Sequence, residues 1–164
     1  LRGANYGTSG CGSRAAESVI NGGAGTAVTI SASGVTVDGF EINGATCVAA
    51  TGFNAVAIRN NKIGAIAVGI NAGSFTTTVS NGFTISNNCV TLASQTAAGT
   101  PTIGIALTAA NGTQAAVING NSVSNAFLGY YLYAVIAAAP TVVTGGSITG
   151  CMQGVDVSTV DAQT

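Results

Sequence analysis

The stretch "VAIRNNKI", residues 56–63, decides the fold of this chain. Its alternation sends Val56 and Ile58 to one side of a short strand, and Ile63 returns to that side after a bend. The bend falls on Asn60 and Asn61, and Asn tolerates the left-handed backbone that a sharp turn requires. The pattern therefore predicts two short strands that share one apolar interior.

The same template of alternating apolar positions, a turn and a further apolar position recurs five times along the chain. The copies are "VTVDGFEI" (35–42), "VAIRNNKI" (56–63), "FTISNNCV" (83–90), "AVINGNSV" (116–123) and "TVVTGGSI" (141–148). Their second apolar positions are Val37, Ile58, Ile85, Ile118 and Val143, which lie 21, 27, 33 and 25 residues apart. This spacing predicts the coils of a solenoid with loops of variable length.

A second landmark follows six residues after the last apolar position of three copies, as Gly69-Ile70, Gly129-Tyr130 and Gly154-Val155. In the third copy Gly104-Ile105 comes eight residues late, which predicts an insertion at "SQTAAGTP" (94–101). In the first copy Val48-Ala49 is a loose match.

The turn positions of the copies form two columns. The first column, Gly39, Asn60, Asn87, Gly120 and Gly145, holds residues that tolerate left-handed backbone. The second column holds Asn61, Asn88 and Asn121, with Phe40 and Gly146 at its ends. Stacked asparagines predict a ladder in which each amide bonds to the coils above and below.

These repeats resemble right-handed parallel β-helix proteins of the pectate-lyase-like superfamily. The opening segment "LRGANYGTSGCGSRAAESVINGG" also resembles the first coils of bacterial secreted or surface β-helix proteins. The resemblance implies an all-β fold, a right-handed single-stranded parallel β-helix of about five to six coils. It implies one domain over residues 1–164, complete or as a segment of a longer solenoid. The superfamily includes lyases, hydrolases, adhesins and structural modules, so the resemblance implies a fold rather than an activity.

The few charged residues pair across coils. The chain has four Lys and Arg, five Asp and Glu, and no His. Asp38 is in register with Arg59, and Glu41 with Lys62, so two exposed ion pairs are predicted, each contributing at most about 1 kcal/mol. The alternative is a carbohydrate site in which the two acids and Arg59 do chemistry. The lyases and glycosidases of the superfamily use clusters of acids or a His, which this pattern lacks, so no catalytic residue is predicted.

Other candidate sites are aromatic or hydroxyl-bearing. In "FLGYYLY" (127–133), Tyr131 and Phe127 are predicted on one face, as ligand contacts for glycans, with Tyr130 on the other. A regular outward Thr array would indicate ice binding. The outward position before each anchor is Thr36, Ala57, Thr84, Val117 and Val142, which is a broken array.

Composition sets limits on partners and compartment. A net charge of -1 gives no basic patch for nucleic acid. No apolar run reaches the roughly 18 residues of a membrane helix, so no transmembrane segment is expected. The cysteines, Cys11, Cys47, Cys89 and Cys151, follow no zinc spacing. Buried free thiols are the leading interpretation, with one or two disulfides in an exported protein as the alternative. No metal or cofactor is expected.

A non-catalytic extracellular or cell-surface solenoid, adhesin-like or filament-forming, is the function that these patterns favour. A parallel solenoid has an open strand edge at each end, and no capping pattern is visible in the sequence at either end. The expected partners are the chain itself, end to end, or flanking domains of a longer chain. The alternatives are a glycan-binding or polysaccharide-cleaving protein and an ice-binding solenoid.

Overall fold

The computed structural model describes residues 1–73, 82–108, 115–133 and 141–158. Within these ranges the chain forms strands, turns and bends, without a helix. Every ladder between coils is parallel. The predicted all-β parallel solenoid is confirmed.

The described strands are numbered in chain order. They are β1 (Val19–Asn21), β2 (Thr26–Ile30), β3 (Thr36–Asp38), β4 (Glu41–Ala50), β5 (Ala57–Arg59), β6 (Lys62–Gly73), β7 (Thr84–Ser86), β8 (Cys89–Leu92), β9 (Thr96–Ala97), β10 (Thr100–Pro101), β11 (Ile103–Thr108), β12 (Val117–Asn119), β13 (Ser122–Ser124), β14 (Leu128–Tyr133), β15 (Val142–Thr144), β16 (Ser147–Thr149) and β17 (Gln153–Ser158).

The solenoid has three sides. The first side is the sheet β3-β5-β7-β12-β15. The second side stacks β1, the first part of β4 and of β6, β8, β13 and β16. The third side stacks β2, the later part of β4 and of β6, β11, β14 and β17. β4 and β6 continue around the corner between the second and third sides.

Five full coils, coils 2 to 6, begin at β3, β5, β7, β12 and β15. Coil 1 precedes them with β1 and β2, and its first side is reduced to the bridge between Arg2 and Asp38. The predicted insertion in coil 4 is also present, because β9 and β10 form a small antiparallel hairpin there.

The predicted register of the first side is confirmed residue by residue. Val37 pairs with Ile58, Ile58 with Ile85, Ile85 with Ile118, and Ile118 with Val143. Every residue of the first turn column has a positive φ, and two of them are asparagines, Asn60 at 56° and Asn87 at 54°. Sharp left-handed turns thus let each inward apolar residue stack on its counterpart in the next coil.

The second landmark is confirmed except in coil 2. Ile70, Ile105, Tyr130 and Val155 pair in register, but the partner of Ile70 in coil 2 is Val48 and not Ala49. The corner after Gly44 is one residue shorter in β4 than in β6, which shifts the match. The glycines before the first three of these residues, Gly69, Gly104 and Gly129, sit close to the next coil. A Cβ on Gly69 would lie 2.4 Å from Val90 Cγ1 and 2.5 Å from the carbonyl oxygen of Gly104.

Candidate functional site

Two cross-coil ion pairs flank the turn between the first and second sides. Arg59 Nε donates to Asp38 Oδ2 at 2.7 Å, and Lys62 Nζ donates to Glu41 Oε2 at 3.0 Å. The sequence register places these four residues opposite each other, and the structure brings both pairs into contact. Each acid is therefore neutralised by a cation from the next coil.

The expectation that both pairs are exposed is wrong for Asp38. Its side chain is 1% exposed, while that of Arg59 is 41% exposed. Asp38 Oδ1 also accepts hydrogen bonds from Asn60 Nδ2 at 2.9 Å and from the amide of Gly7 at 3.1 Å. The physical reason is that an N-terminal segment lies over this carboxylate.

The Glu41–Lys62 pair is more open, with side chains 24% and 54% exposed. Lys62 lowers the pKa of Glu41, and a hydrogen bond from Asn43 lowers this pKa further. The carboxylate is therefore ionised and screened by solvent at neutral pH.

The two pairs are expected to differ in stability. Arg59→Ala leaves the buried Asp38 carboxylate without its charged donor, so we expect the free energy of unfolding to fall by about 2 kcal/mol. Lys62→Ala, the matched control at the exposed pair, should cost less than about 1 kcal/mol. Urea denaturation of both variants measures the difference, and equal losses would contradict the distinction.

The segment over Asp38, residues 3–18, is named the strap. It crosses the turns of three successive coils. The amide of Asn5 donates to the carbonyl of Gly39 in coil 2, Arg14 Nη1 donates to the carbonyl of Asn60 in coil 3, and the amide of Gly10 donates to the carbonyl of Asn87 in coil 4. The strap therefore runs along the axis of the solenoid rather than around it.

Arg14 holds the centre of the strap, and its side chain is 6% exposed. Its Nη2 donates to Glu17 Oε2 at 2.9 Å and to the carbonyl of Phe40 at 3.2 Å. Asn5 Nδ2 donates to the same Glu17 oxygen at 2.9 Å. Arg14 and then Asn5 hold the pKa of Glu17 below its ordinary value, against the effect of burial. This third pair was not among the predicted ones, although the three-residue spacing in "RAAE" (14–17) is a signal for it.

A disulfide joins the strap to the solenoid, between Cys11 and Cys89 of coil 4. The leading interpretation of four free thiols is therefore wrong for these two residues, and the alternative of a disulfide holds. The strap causes the difference, because it brings together two cysteines that are 78 residues apart. Cys47 and Cys151 are free. Burial raises the pKa of the Cys47 thiol to about 11, so this thiol stays protonated and unreactive at neutral pH.

A groove of about 670 Å³ lies between the strap and the second side. Its polar lining includes Arg14, Glu17, Asn43, Lys62 and Thr91. Its charged groups are already paired, Arg14 with Glu17 and Lys62 with Glu41. Over the described ranges, no three His, Cys, Asp or Glu side chains are grouped so that they could hold a metal ion.

The asparagine column is continuous and buried. Asn61 Nδ2 donates to Asn88 Oδ1 at 3.1 Å, and Asn88 Nδ2 donates to Asn121 Oδ1 at 2.9 Å. Each side chain also donates to a carbonyl of the preceding coil, at Val37, Ile58 and Ile85. The column therefore connects coils 2 to 5 through the interior of the turn.

The aromatic run places Tyr130 and Tyr131 on opposite faces of β14. Tyr131 stacks on Tyr133, with ring centroids 5.9 Å apart, and both are half-buried. Phe127 is half-buried in the corner before β14. Tyr130 lies on the opposite face, as expected, with 3% of its surface exposed and its hydroxyl 3.3 Å from the carbonyl oxygen of Asn121.

Coil 6 exposes side chains at inward positions that are buried in every full coil before it. Val143, Val155 and Val157 occupy inward positions, yet they are 39%, 50% and 65% exposed. In coil 3 the residues of the same columns, Ile58, Ile70 and Ala72, are fully buried. β15, β16 and β17 each pair with a strand of coil 5 alone among the described strands. Among the described residues, coil 6 thus leaves apolar side chains and one backbone edge of its three strands uncovered.

No family model, curated protein or solved structure matches this sequence. The parallel ladders establish the class of fold, a β-solenoid, while the superfamily remains an expectation from the repeats. The described residues include no helix able to cross a membrane.

Proposed function

We propose that this chain is a non-catalytic structural module of a secreted or cell-surface protein, adhesin-like or filament-forming, that extends when another β-coil docks on coil 6. The observation that carries the proposal is the apolar edge of coil 6, where Val143, Val155 and Val157 are 39%, 50% and 65% exposed. Open strand edges of this kind are templates for pairing with another chain.

A docked coil would complete two sets of interactions at once. It would cover the inward valines, and burial of apolar surface contributes about 25 cal/mol per Å². It would also pair the free edges of β15, β16 and β17 through parallel hydrogen bonds, as each coil does with the one before it. The same columns that hold the solenoid together would then hold the assembly together.

The chemistry of the charged groups supports a structural role. Asp38 and Glu41, the two acids that the alternative carbohydrate site would use, are each paired with a cation. Asp38 is also buried under the strap, where three donors satisfy it. A buried carboxylate with this many donors holds the strap and the turn in place and has no access to a substrate.

Secretion is proposed on two grounds. The Cys11–Cys89 disulfide suits an oxidising compartment, because disulfides are rare in the reducing cytosol. The repeats also resemble the pectate-lyase-like superfamily, whose bacterial members include secreted and surface proteins. Both grounds support an extracellular location, and neither identifies a ligand.

Val157→Asp tests this proposal. A charge at a position that is 65% exposed should leave the fold intact, but it should weaken association at least about tenfold, since it would be buried in the junction. Ile66→Asp is the matched control, because Ile66 is 49% exposed on the flank of coil 3. Sedimentation velocity over a concentration series reads out association. A wild-type chain that stays monomeric throughout, or a Val157→Asp chain that associates normally, would contradict the proposal.

Glycan binding is a second candidate, favoured by the stacked Tyr131–Tyr133 pair on the third side. Half-buried tyrosine rings can contact the apolar faces of sugars while their hydroxyls bond to solvent or ligand. A glycan array probed with the wild type and with Tyr131→Ala separates this role from the structural one. Specific binding that Tyr131→Ala abolishes would favour it, and turnover of any glycan would overturn the non-catalytic proposal.

A further inference from the structure

We propose that the third side of the solenoid carries a cation-binding site, in which the Asp156 carboxylate and the Tyr131 ring hold a quaternary ammonium group. The site lies on the outward face of β14 and β17. It goes beyond the structural role proposed above, because it needs no second coil docked on coil 6.

The two groups are neighbours in one outward column. Tyr131 of β14 pairs in register with Asp156 of β17, and Tyr133 pairs with Ser158. Neighbouring strands lie about 4.8 Å apart, so the carboxylate and the ring flank the same small area of the surface. Both residues are half-buried, which leaves part of each side chain accessible from solvent.

The ring of Tyr131 is held in place and uncharged. Tyr133 stacks on it, with ring centroids 5.9 Å apart and ring planes 23° apart. Burial, Tyr133 and the charge of Asp156 each raise the pKa of the Tyr131 hydroxyl. This hydroxyl therefore stays protonated at neutral pH, and the ring keeps the negative π face that attracts cations.

Among the described acids, Asp156 is the one without a cation partner. The chain has four Lys and Arg residues, and all four are described. Three of them form the ion pairs given above. The fourth, Arg2, lies over the Tyr6 ring, with its guanidinium carbon 4.2 Å from the ring centroid. Asp156 Oδ1 accepts a hydrogen bond from Ser158 Oγ at 3.0 Å, which does not neutralise its charge.

These features favour an organic cation as the ligand. Calcium takes about six to eight oxygen ligands, whereas the described residues hold no group of three His, Cys, Asp or Glu side chains able to bind a metal. A neutral sugar would contact the ring of Tyr131 but has no charge for the carboxylate. A quaternary ammonium group supplies both a positive charge for Asp156 and methyl groups that pack on the ring.

A titration with tetramethylammonium chloride, followed by amide NMR at low ionic strength, tests the site. We expect saturable shifts at Tyr131 and Asp156, with a dissociation constant on the order of millimolar, because a partly exposed ion pair and a single cation–π contact are each weak. tert-Butanol, a neutral molecule of similar shape, should bind about tenfold more weakly. Equal affinities for the two molecules, or no saturable shifts with tetramethylammonium, would overturn the proposal.

Two substitutions separate the carboxylate from the ring. Asp156→Asn keeps the shape and the acceptor for Ser158, and it should weaken tetramethylammonium binding about fivefold. Tyr131→Leu keeps an apolar side chain without the π face, and it should weaken binding about threefold. Glu41→Gln is the matched control, since Glu41 already pairs with Lys62, and it should bind as the wild type does.

Far-UV circular dichroism checks that each of these variants is folded. Wild-type affinity in folded Asp156→Asn, or an equal loss in Glu41→Gln, would show that the Asp156 carboxylate does not hold the cation.

The ammonium group has two sources, a soluble ion and a lipid headgroup. Cosedimentation with phosphatidylcholine vesicles that Asp156→Asn abolishes would support the site and assign the group to the headgroup. Binding of free choline without cosedimentation would support the site and assign the group to a soluble ion. A chain that binds neither would overturn the proposal.

Discussion

Replacing Asn88 with alanine is expected to lower the free energy of unfolding by about 4 kcal/mol, because unsatisfied buried polar groups cost about 1 to 3 kcal/mol each. Asn88 is 1% exposed and makes four side-chain hydrogen bonds. Without its side-chain amide, the backbone amide of Asn61 and the carbonyl of Ile58 each lose a hydrogen bond inside the solenoid. Chemical denaturation followed by circular dichroism measures the loss.

Two further substitutions define the origin of this effect. Asn88→Asp keeps the size and the acceptor oxygen but cannot donate to Ile58 and Asn121, so it should also be strongly destabilising. Asn119→Ala is the matched control, since Asn119 is exposed and accepts one hydrogen bond, from Thr144. It should change the free energy of unfolding by less than about 1 kcal/mol. An Asn88→Ala cost no greater than that of the control would show that the ladder does not stabilise the coils.

Removing the Cys11–Cys89 disulfide by the double substitution Cys11→Ser and Cys89→Ser should destabilise the chain by about 4 kcal/mol, the loop-closure value for a long loop. The bond joins residues 78 apart, so its loss frees a large part of the unfolded chain. The amide of Gly10 bonds to the carbonyl of Asn87 beside the disulfide. In the double variant, the hydrogen exchange of the Gly10 amide should therefore accelerate along with the loss of stability.

Cys151→Ser is the control for the disulfide, because Cys151 is a free and only partly buried thiol. It should leave both the unfolding midpoint and the exchange of Gly10 nearly unchanged. If the double variant kept its stability and the protection of Gly10, the strap would be held by Arg14 and its hydrogen bonds alone.

The coils were predictable because each one carries its own local signals. Alternating apolar residues place Val37, Ile58 and Ile85 in the interior, and left-handed turns at Gly39 and Asn60 mark where each strand ends. Residues one coil apart then fall opposite each other. The spacing between the repeats is therefore enough to predict the ion pairs and the asparagine column. The register predicted by counting is wrong by one residue at Val48, because the corner after Gly44 is one residue shorter in β4 than in β6.

The strap was not predictable because its contacts follow no period. Arg14 bonds to a carbonyl 46 residues away, and Cys11 joins a cysteine 78 residues away, from a segment rich in Gly and Ser. Four cysteines allow three complete pairings, and the sequence does not select among them. The burial of Asp38 was missed for the same reason, since the cover comes from outside the repeat.

Cryo-electron microscopy of the purified chain at high concentration tests the central claim, that the open coil edge is where the solenoid continues. Continuation of the solenoid from coil 6 into further copies predicts rods in which the strand spacing of about 4.8 Å runs unbroken across each junction, with an axial repeat of about 29 Å for six coils. Single particles of one chain, or particles paired along their flanks with coil 6 uncovered, would contradict it.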